Sequence, residues 1–564
     1  MHPILKGENC KKFLLGNEAI VRGAVESCVQ VGAAYPGTPS SEIGNNLFQM
    51  QKDLAGLYFE FAVNEKVAME IVGAASACGL RAITCMKHVG LNVASDAFMS
   101  LAYVGVEGGL VVVTADDPSC HSSQNEQDNR YYARLAQVPM FEAFDPHTAY
   151  ALTKEAFPLS EKFKLPVLLR TTTRVSHARG VVEVGSVPFE FYQTFKKGTF
   201  KKDPFRFVPV PAVARKEHKL LLEKLEELQN LANSFKFNQF IPRGKLGICV
   251  SGVAVNYVID ALEDLGLQDE VSLLILTFTY PFPEKLALEF LSQVETCFVV
   301  EELEPYLEEN LRVLAYNYGL KTKILGKKEK LLPRYFEFTP TQVKEALVNA
   351  FNLKGINFEI PPLDFSAVLP PRPPVLCPGC PHRETYKLIK EVLQEMGIEE
   401  QTIYPTDIGC YTLGIQPPLN MADYLLCMGS SVGAPCGFDI ATDQRVVAFI
   451  GDSTFFHAGL SPLVNAKFNK HKFTLVVLDN DTTAMTGHQP VPSQTVKSPI
   501  IQDHPTIPIH QIAEALDIPY VVINPYKKEE AKELVQPLLE KQELSVIIAK
   551  APCILYKTKS QKGS

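Results

Sequence analysis

Two sets of residues carry the clearest chemistry in this chain. The first is Gly451-Asp452-Ser453, which follows the apolar run 446–450 and precedes a helical stretch and a second apolar run ending in Leu478-Asp479-Asn480-Asp481-Thr482. Asp452 and Asn480 are 28 positions apart, and a strand–turn–helix–strand reading puts both at neighbouring strand ends. A hard cation such as Mg²⁺ takes oxygen ligands of this kind. The glycine would let the backbone approach a diphosphate, and the helix start would offer free N–H groups to it. The second set is Cys377-x-x-Cys380. Cys-x-x-Cys alone is open between a metal or cluster site, a zinc half-site and a redox pair. Most of the cysteines read as small core residues; Cys28, Cys78, Cys85, Cys249 and Cys297 sit in apolar helix or strand patterns. With 13 cysteines, an odd number, a disulfide framework is not expected.

These residues need strands to position them. Apolar runs at 31–35, 82–86, 110–114 and 166–170 alternate with helical stretches, which is the pattern of parallel α/β structure. Residues 186–243 break the pattern with a Lys-, Phe- and Pro-containing linker and an amphipathic helix at about 215–234. A second α/β unit spans 244–355, with strands at 246–250, 272–276 and 297–300. The stretch 356–374, with six prolines from 361 to 374, reads as an extended linker. The last unit, 375–564, has strands at 446–450, 474–478, 520–523 and 545–549. The expected architecture is therefore three α/β domains, the first over 1–185. In such sheets ligands gather at the C-terminal strand ends. The 564 residues carry a net charge of −8 with the two signs interspersed, unlike the basic face of a nucleic-acid binder. Neither a signal peptide nor a membrane-length apolar run is present, so a cytoplasmic location is expected.

The spacing from Gly451-Asp452-Ser453 to Asn480 resembles the thiamine diphosphate motif. Seven further stretches, in order along the chain, resemble the alpha subunits of indolepyruvate:ferredoxin oxidoreductases, within the 2-oxoacid:ferredoxin oxidoreductase superfamily. They are Gly16-Asn17-Glu18-Ala19, Tyr35-Pro36-Gly37-Thr38-Pro39-Ser40-Ser41, Met86-Lys87-His88-Val89-Gly90-Leu91-Asn92, Ala115-Asp116-Asp117-Pro118-Ser119, the runs 121–128 and 169–177, and Cys377-Pro378-Gly379-Cys380-Pro381-His382-Arg383. Thr483-Ala484-Met485-Thr486-Gly487-His488-Gln489 completes the set.

The resemblance implies a first domain that binds the pyrimidine of thiamine diphosphate, a second like the transketolase C-terminal domain, and a third that binds the diphosphate. Both cofactor-binding domains would have parallel sheets, with the cofactor between the first and third. Asp452, Asn480 and the Thr482 carbonyl would hold Mg²⁺, and Gly451, Ser453 and Gly433 would line the cofactor. Glu65 would press against the aminopyrimidine ring, with Glu70 the competitor one turn on. Thr38 would hydrogen-bond the substrate. Cys377, Cys380, Cys410 and Cys553 would hold the [4Fe-4S] cluster, with Cys427 and Cys436 set aside. The implied reaction is oxidative decarboxylation of an aryl or branched-chain 2-oxoacid to the acyl-coenzyme A, with ferredoxin reduced. A small beta subunit, ferredoxin or another electron-transfer protein, and a homodimer of this chain within a heterotetramer are implied as partners. Rival readings are a non-oxidative thiamine-dependent decarboxylase and a non-catalytic subunit that keeps the fold.

The sequence departs from the superfamily in three places. Asp116 stands where pyruvate-specific members carry Arg, so Lys87 or His88 would have to bind the substrate carboxylate. Met485 replaces an Asn, which suits a bulkier, apolar substrate. The chain ends about ten residues after Cys553, without the ferredoxin-like domain usual in such subunits. Electrons would then leave through a separate protein or directly from the cluster.

Overall fold

The structure, a computed structural model, describes residues 1–353, 373–494 and 504–556. All but the last two residues of the expected proline-rich linker lie outside them. The chain divides into two compact units, Met1–Pro361 and Pro362–Ser564.

The first unit is built on a seven-stranded sheet in the order Phe278–Tyr280, Met140–Glu142, Val167–Thr172, Leu110–Asp116, Ala82–Lys87, Val31–Ala34, Tyr58–Phe61. Six of the strands are parallel and Phe278–Tyr280 is antiparallel. Every residue of Leu110–Asp116 and Val167–Thr172 is buried. That is why these strands read as continuous apolar runs: a parallel sheet is covered on both faces. A second sheet, in the order Lys323–Leu325, Thr296–Val300, Leu246–Ser251, Val271–Leu276, Gln239–Ile241, shares this unit. The expected strands at 246–250, 272–276 and 297–300 are all in it.

Two features join these sheets. The strand Phe278–Tyr280 leaves the second α/β region to pair with Met140–Glu142 of the first sheet. The other is a buried ionic network. Arg130 pairs with Asp128 and with Glu301, each at 2.6 Å, and donates to the carbonyls of Glu302 and Glu304. Arg170 pairs with Asp116 at 2.8 Å and Glu142 at 2.7 Å. Glu301 follows the strand Thr296–Val300, whereas Asp116, Glu142 and Arg170 belong to the first sheet. The network thus crosses from one sheet to the other. The helix Pro211–Asn233 buries Val213, Leu221, Leu228 and Ala232 on one stripe, as the amphipathic reading of 215–234 expects.

The second unit has a five-stranded, wholly parallel sheet: Thr402–Ile403, Arg445–Gly451, Thr474–Asp479, Ser545–Lys550, Tyr520–Ile523. The helix Pro381–Glu395 packs Thr385, Leu388, Ile389, Val392 and Leu393 inward at helical spacing, and Pro381 supplies a preset first turn. A continuous helical segment begins at Asp452, passes through a π turn at Phe455–Gly459 and runs on to Phe468.

The network makes a stability prediction for the first unit. Arg130→Met leaves Glu301 buried without its cation and Asp128 with only the more distant Arg170, 3.8 Å away, which costs about 3–5 kcal/mol. Calorimetry should show a lowered unfolding transition for this unit, and an unchanged transition would mean that the network does not hold the sheets together.

Candidate functional site

In the second unit the strands Arg445–Gly451 and Thr474–Asp479 lie side by side with Gly451 opposite Leu478. Twenty-eight positions of sequence therefore close to a single loop-to-loop contact. The Asn480 N–H donates to Asp452 Oδ2 at 3.2 Å, and the Ser453 N–H donates to Asp452 Oδ1 at 2.7 Å. The free N–H expected at the helix start is thus already taken by Asp452 itself. The Asn480 amide has two settings. With its nitrogen inward it donates to Asp452 Oδ2 at 3.2 Å and to the Thr482 carbonyl at 2.8 Å. With its oxygen inward, Oδ1 stands at those same separations from Asp452 Oδ2 and the Thr482 carbonyl oxygen. Adjacent oxygens of an octahedral Mg²⁺ shell, with Mg–O near 2.0–2.1 Å, are roughly 2.9 Å apart, so both separations suit this ion. Burial, and Asp479 beside it, push the Asp452 carboxyl well up from the usual carboxylate range, and a cation would offset both effects.

The glycine before Asp452 has a steric role of its own. Its φ of −82° is open to any residue. A Cβ there would meet the Tyr411 ring at 2.5 Å, so Gly451 makes room for Tyr411. Gly433 is exposed, in the second turn of the helix Ser430–Ala441. Asp407 caps that helix by accepting from the N–H groups of Gly429 at 2.9 Å and Ser431 at 3.0 Å.

The four cysteines of the expected set come into one neighbourhood. Cys377 and Cys380 flank a turn closed by the Cys380 N–H on the Cys377 carbonyl at 3.1 Å. Gly379 sits in it at φ 71°, where a Pro-Gly pair is suited. Cys410 opens the short helical turn Cys410–Ile415 rather than following a strand, because Asp407-Ile408-Gly409 leads directly into that turn. Cys553 lies three residues past the strand Ser545–Lys550, and its N–H donates to the Asn480 carbonyl at 3.0 Å. Burial, then the neighbouring thiols of Cys380, Cys553 and Cys377, push the Cys410 thiol up to about 11. The thiols are within electrostatic reach of one another. Among the described residues, however, no three Cys, His, Asp or Glu side chains are closed into a ligand set, so side-chain rotation would be needed to grip a cluster. Cys436 is elsewhere, buried in a separate core against Val432 and Asn465, and Cys427 is exposed.

In the first unit, Thr38, Glu65, Lys87, His88 and Asp116 all stand at or just past the C-terminal ends of four adjacent parallel strands. Thr38 is half-buried, and a Cβ at its neighbour Gly37 would lie 3.4 Å from the Lys87 side chain. Asn64 caps the helix Glu65–Ala77 by accepting from the Val67 N–H at 2.9 Å, which fixes Glu65 as the first helical residue, 4% exposed. Glu70 is half-exposed and pairs with Lys66. Lys87 donates to the Ser122 carbonyl at 2.8 Å; burial lowers its ammonium, and Asp117, Cys120 and Glu65 offset this. His88 is fully buried, with Nε2 3.1 Å from the Asn125 side-chain and backbone oxygens. Between the two residues assigned to the substrate carboxylate, Lys87 keeps partial access and His88 braces a loop. Asp116 is also fully buried and faces Arg170. It belongs to the ionic network that binds the sheets, which explains a carboxylate at this position without reference to substrate. Met485, in the second unit, is 54% exposed.

Three residues outside the expected set matter here. Tyr411 donates to the Ile408 carbonyl at 2.9 Å and packs edge-on against His382. His382 is buried 3.3 Å from the Asn480 amide, and burial lowers its imidazole to about 4. Gly90 packs directly on Glu65. The cysteine motif quoted for the resemblance contains His382, and its position two residues after Cys380 is the sequence signal; nothing in the sequence points to the Gly90 contact.

A Cβ at Gly90 would lie 2.7 Å from Glu65 Oε1. The Glu65 Cγ and Cδ would also stand at 2.9 and 3.0 Å, so Gly90→Ala must move the whole Glu65 side chain and so displace the carboxylate, against a helix gain of roughly 0.5–1 kcal/mol; circular dichroism checks that the variant stays folded. If Glu65 activates thiamine diphosphate, C2-proton exchange of the bound cofactor, followed by NMR, should slow by at least about tenfold, part of the roughly 10²–10⁴ an acid–base group contributes. Unchanged exchange would remove Glu65 from that role.

Two family models match the chain: the pyruvate flavodoxin/ferredoxin oxidoreductase thiamine diphosphate-binding domain over residues 22–224, and the thiamine pyrophosphate enzyme C-terminal TPP binding domain over 407–549. The indolepyruvate oxidoreductase subunit IorA of Methanothermobacter thermautotrophicus is 52% identical over 553 residues, 97% of this chain and 88% of its own length. Its counterpart in Thermococcus kodakarensis is 46% identical over 567 residues, covering 97% and 86%. A solved 2-oxoglutarate:ferredoxin oxidoreductase from Magnetococcus marinus matches 61% of this chain and 65% of its own at 15% identity and a TM-score of 0.48. With an Asp–Asn–carbonyl oxygen set in the second domain matched, a buried glutamate at a strand end in the first, and identity at this level along nearly its whole length, the chain belongs to the family of indolepyruvate oxidoreductase alpha subunits, enzymes of the thiamine-diphosphate-dependent 2-oxoacid oxidoreductase group.

Proposed function

We propose that this chain is the catalytic subunit of an indolepyruvate:ferredoxin oxidoreductase, converting an aryl 2-oxoacid to CO₂ and its acyl-coenzyme A while reducing ferredoxin. The observation that carries the reading is the meeting of the Asn480 amide with Asp452 Oδ2, 3.2 Å away, and with the Thr482 carbonyl, 2.8 Å away. Thiamine diphosphate, when bound, supplies the electron sink needed to cleave the bond between a carbonyl and a carboxylate. The chain's own residues divide the remaining work. Asp452, Asn480 and Thr482 would hold Mg²⁺ on the diphosphate, with Gly451 and Ser453 in the same loop and Gly433 on the nearby helix. Glu65, desolvated at its strand end, would hold a proton at the aminopyrimidine ring nitrogen. Thr38 and Lys87 would orient the substrate's 2-oxo and carboxylate groups, and His88 would keep the 117–129 loop in place beside them through Asn125.

Cys377, Cys380, Cys410 and Cys553 would hold a [4Fe-4S] cluster, a one-electron carrier. Their mutual neighbourhood supports this assignment over zinc on Cys377 and Cys380 alone. A non-oxidative decarboxylase would have no use for four gathered thiols. A small partner subunit is part of the proposal, in keeping with the relatives being named as subunits. An aryl substrate rests on those names; Asp116 is accounted for by the ionic network, and the exposure of Met485 within its own unit gives the assignment no added weight.

Anaerobically purified protein, with its partner subunit, should reduce a low-potential dye with indolepyruvate or phenylpyruvate faster than with pyruvate. It should carry about four irons per chain, and Cys553→Ser should lose iron or leave it labile. A pyruvate preference would overturn the substrate assignment, and zinc in place of iron would overturn the cluster.

A further inference from the structure

We propose that His382 is a positioning residue that sets which end of the Asn480 amide faces the cation. The proposal rests on the reading that Asp452, Asn480 and Thr482 hold Mg²⁺. It concerns a residue that binds neither the cation nor a cluster in that reading.

The Asn480 main chain is held at both ends. Its N–H donates to Asp452 Oδ2 and its carbonyl accepts from the Cys553 N–H. The side chain is left one torsional choice, amide oxygen inward or amide nitrogen inward. Inward lie Asp452 Oδ2 and the Thr482 carbonyl, both acceptors. Outward lies His382 Nε2, at 3.3 Å. Electrostatics within the loop pair favour the nitrogen inward, where it would meet two acceptors. Cation binding requires the opposite, because only the oxygen is a ligand for Mg²⁺.

His382 decides between the two settings through its tautomer. A ring with its proton on Nδ1 presents a lone pair on Nε2, accepts from Asn480 Nδ2 and so turns Oδ1 toward the cation. A ring protonated on Nε2 instead donates to Oδ1 and turns the nitrogen inward. The ring cannot swing aside to avoid the choice. It is 4% exposed, it starts the helix Pro381–Glu395 one residue in, and it abuts Tyr411, whose hydroxyl is tied to Ile408. The geometry therefore requires the Nδ1–H tautomer in the cation-bound protein. It also makes the cysteine loop and the cation loop one mechanical piece. His382 follows Cys380 by two residues, and Cys553 is bonded to Asn480. Partners of this kind behind a metal ligand typically change metal affinity by about 10–100-fold when removed.

The test uses full-length protein. Mn²⁺ affinity in the presence of thiamine diphosphate is read by electron paramagnetic resonance for the wild type, Asp452→Ala, His382→Gln and His382→Phe. The His382 tautomer is read by ¹⁵N NMR of histidine-labelled wild type loaded with Mg²⁺ and thiamine diphosphate, with the signal assigned from the His382→Gln spectrum. The expected result is an Nδ1–H ring, a loss of Mn²⁺ affinity of about tenfold or more in His382→Phe, and near-complete rescue in His382→Gln, which restores an acceptor. An Nε2–H ring in the loaded protein overturns the proposal, as does wild-type Mn²⁺ affinity in His382→Phe. If His382→Phe fails to fold, the tautomer alone decides. Mn²⁺ binding that survives Asp452→Ala overturns the underlying site and the proposal together, and is distinguished by that variant alone.

Discussion

Two parallel strands ending side by side impose the constraint on which the second unit depends. Gly451 opposes Leu478, so Asp452 must meet Asn480 and must do so next to Asp479. A buried carboxylate beside another carboxylate is unfavourable unless a cation or donor faces it. The surroundings are arranged around that problem. Tyr411 fits against Gly451, Asp452 takes two backbone N–H groups, Lys550 stands 3.3 Å from Asp479, and Cys553 and His382 hold Asn480 from behind. The site and the scaffold are the same few residues, so changes to either propagate to the other.

The first unit solves a different electrostatic problem. Its strand ends carry charged residues of two kinds. Asp116, Arg170, Glu142, Asp128, Arg130 and Glu301 are sealed in and pair with one another, joining two sheets. Glu65 and Lys87 lie along the same C-terminal edge of the sheet.

Much of this was legible in the sequence. The strands at 31–35, 82–86, 110–114, 166–170, 446–450, 474–478 and 545–549 appear within a residue or two of their expected ends, because buried parallel strands are near-continuous apolar runs. Short pairings such as Tyr58–Phe61, Met140–Glu142 and Phe278–Tyr280 were not legible, since three or four residues carry too little periodicity and their partners are distant in sequence. For the same reason the sequence separates the second α/β region, where the strand Phe278–Tyr280 and the buried network tie it into the first unit. At Asp116 the residue type was plain but its meaning was not: a carboxylate at a strand end looks the same in sequence whether it faces a cleft or an arginine. The steric reason for Gly451 and the role of His382 are likewise properties of packing, visible only once Tyr411 and Asn480 are in place.

The central claim is that Asp452, Asn480 and the Thr482 carbonyl form a cation-dependent diphosphate site. It is tested most directly by titrating thiamine diphosphate into the full-length protein with and without Mg²⁺, for the wild type and Asp452→Ala. Binding should require Mg²⁺ in the wild type and be lost in a folded Asp452→Ala protein. Cofactor binding of equal strength without Mg²⁺, or in the variant, would contradict it.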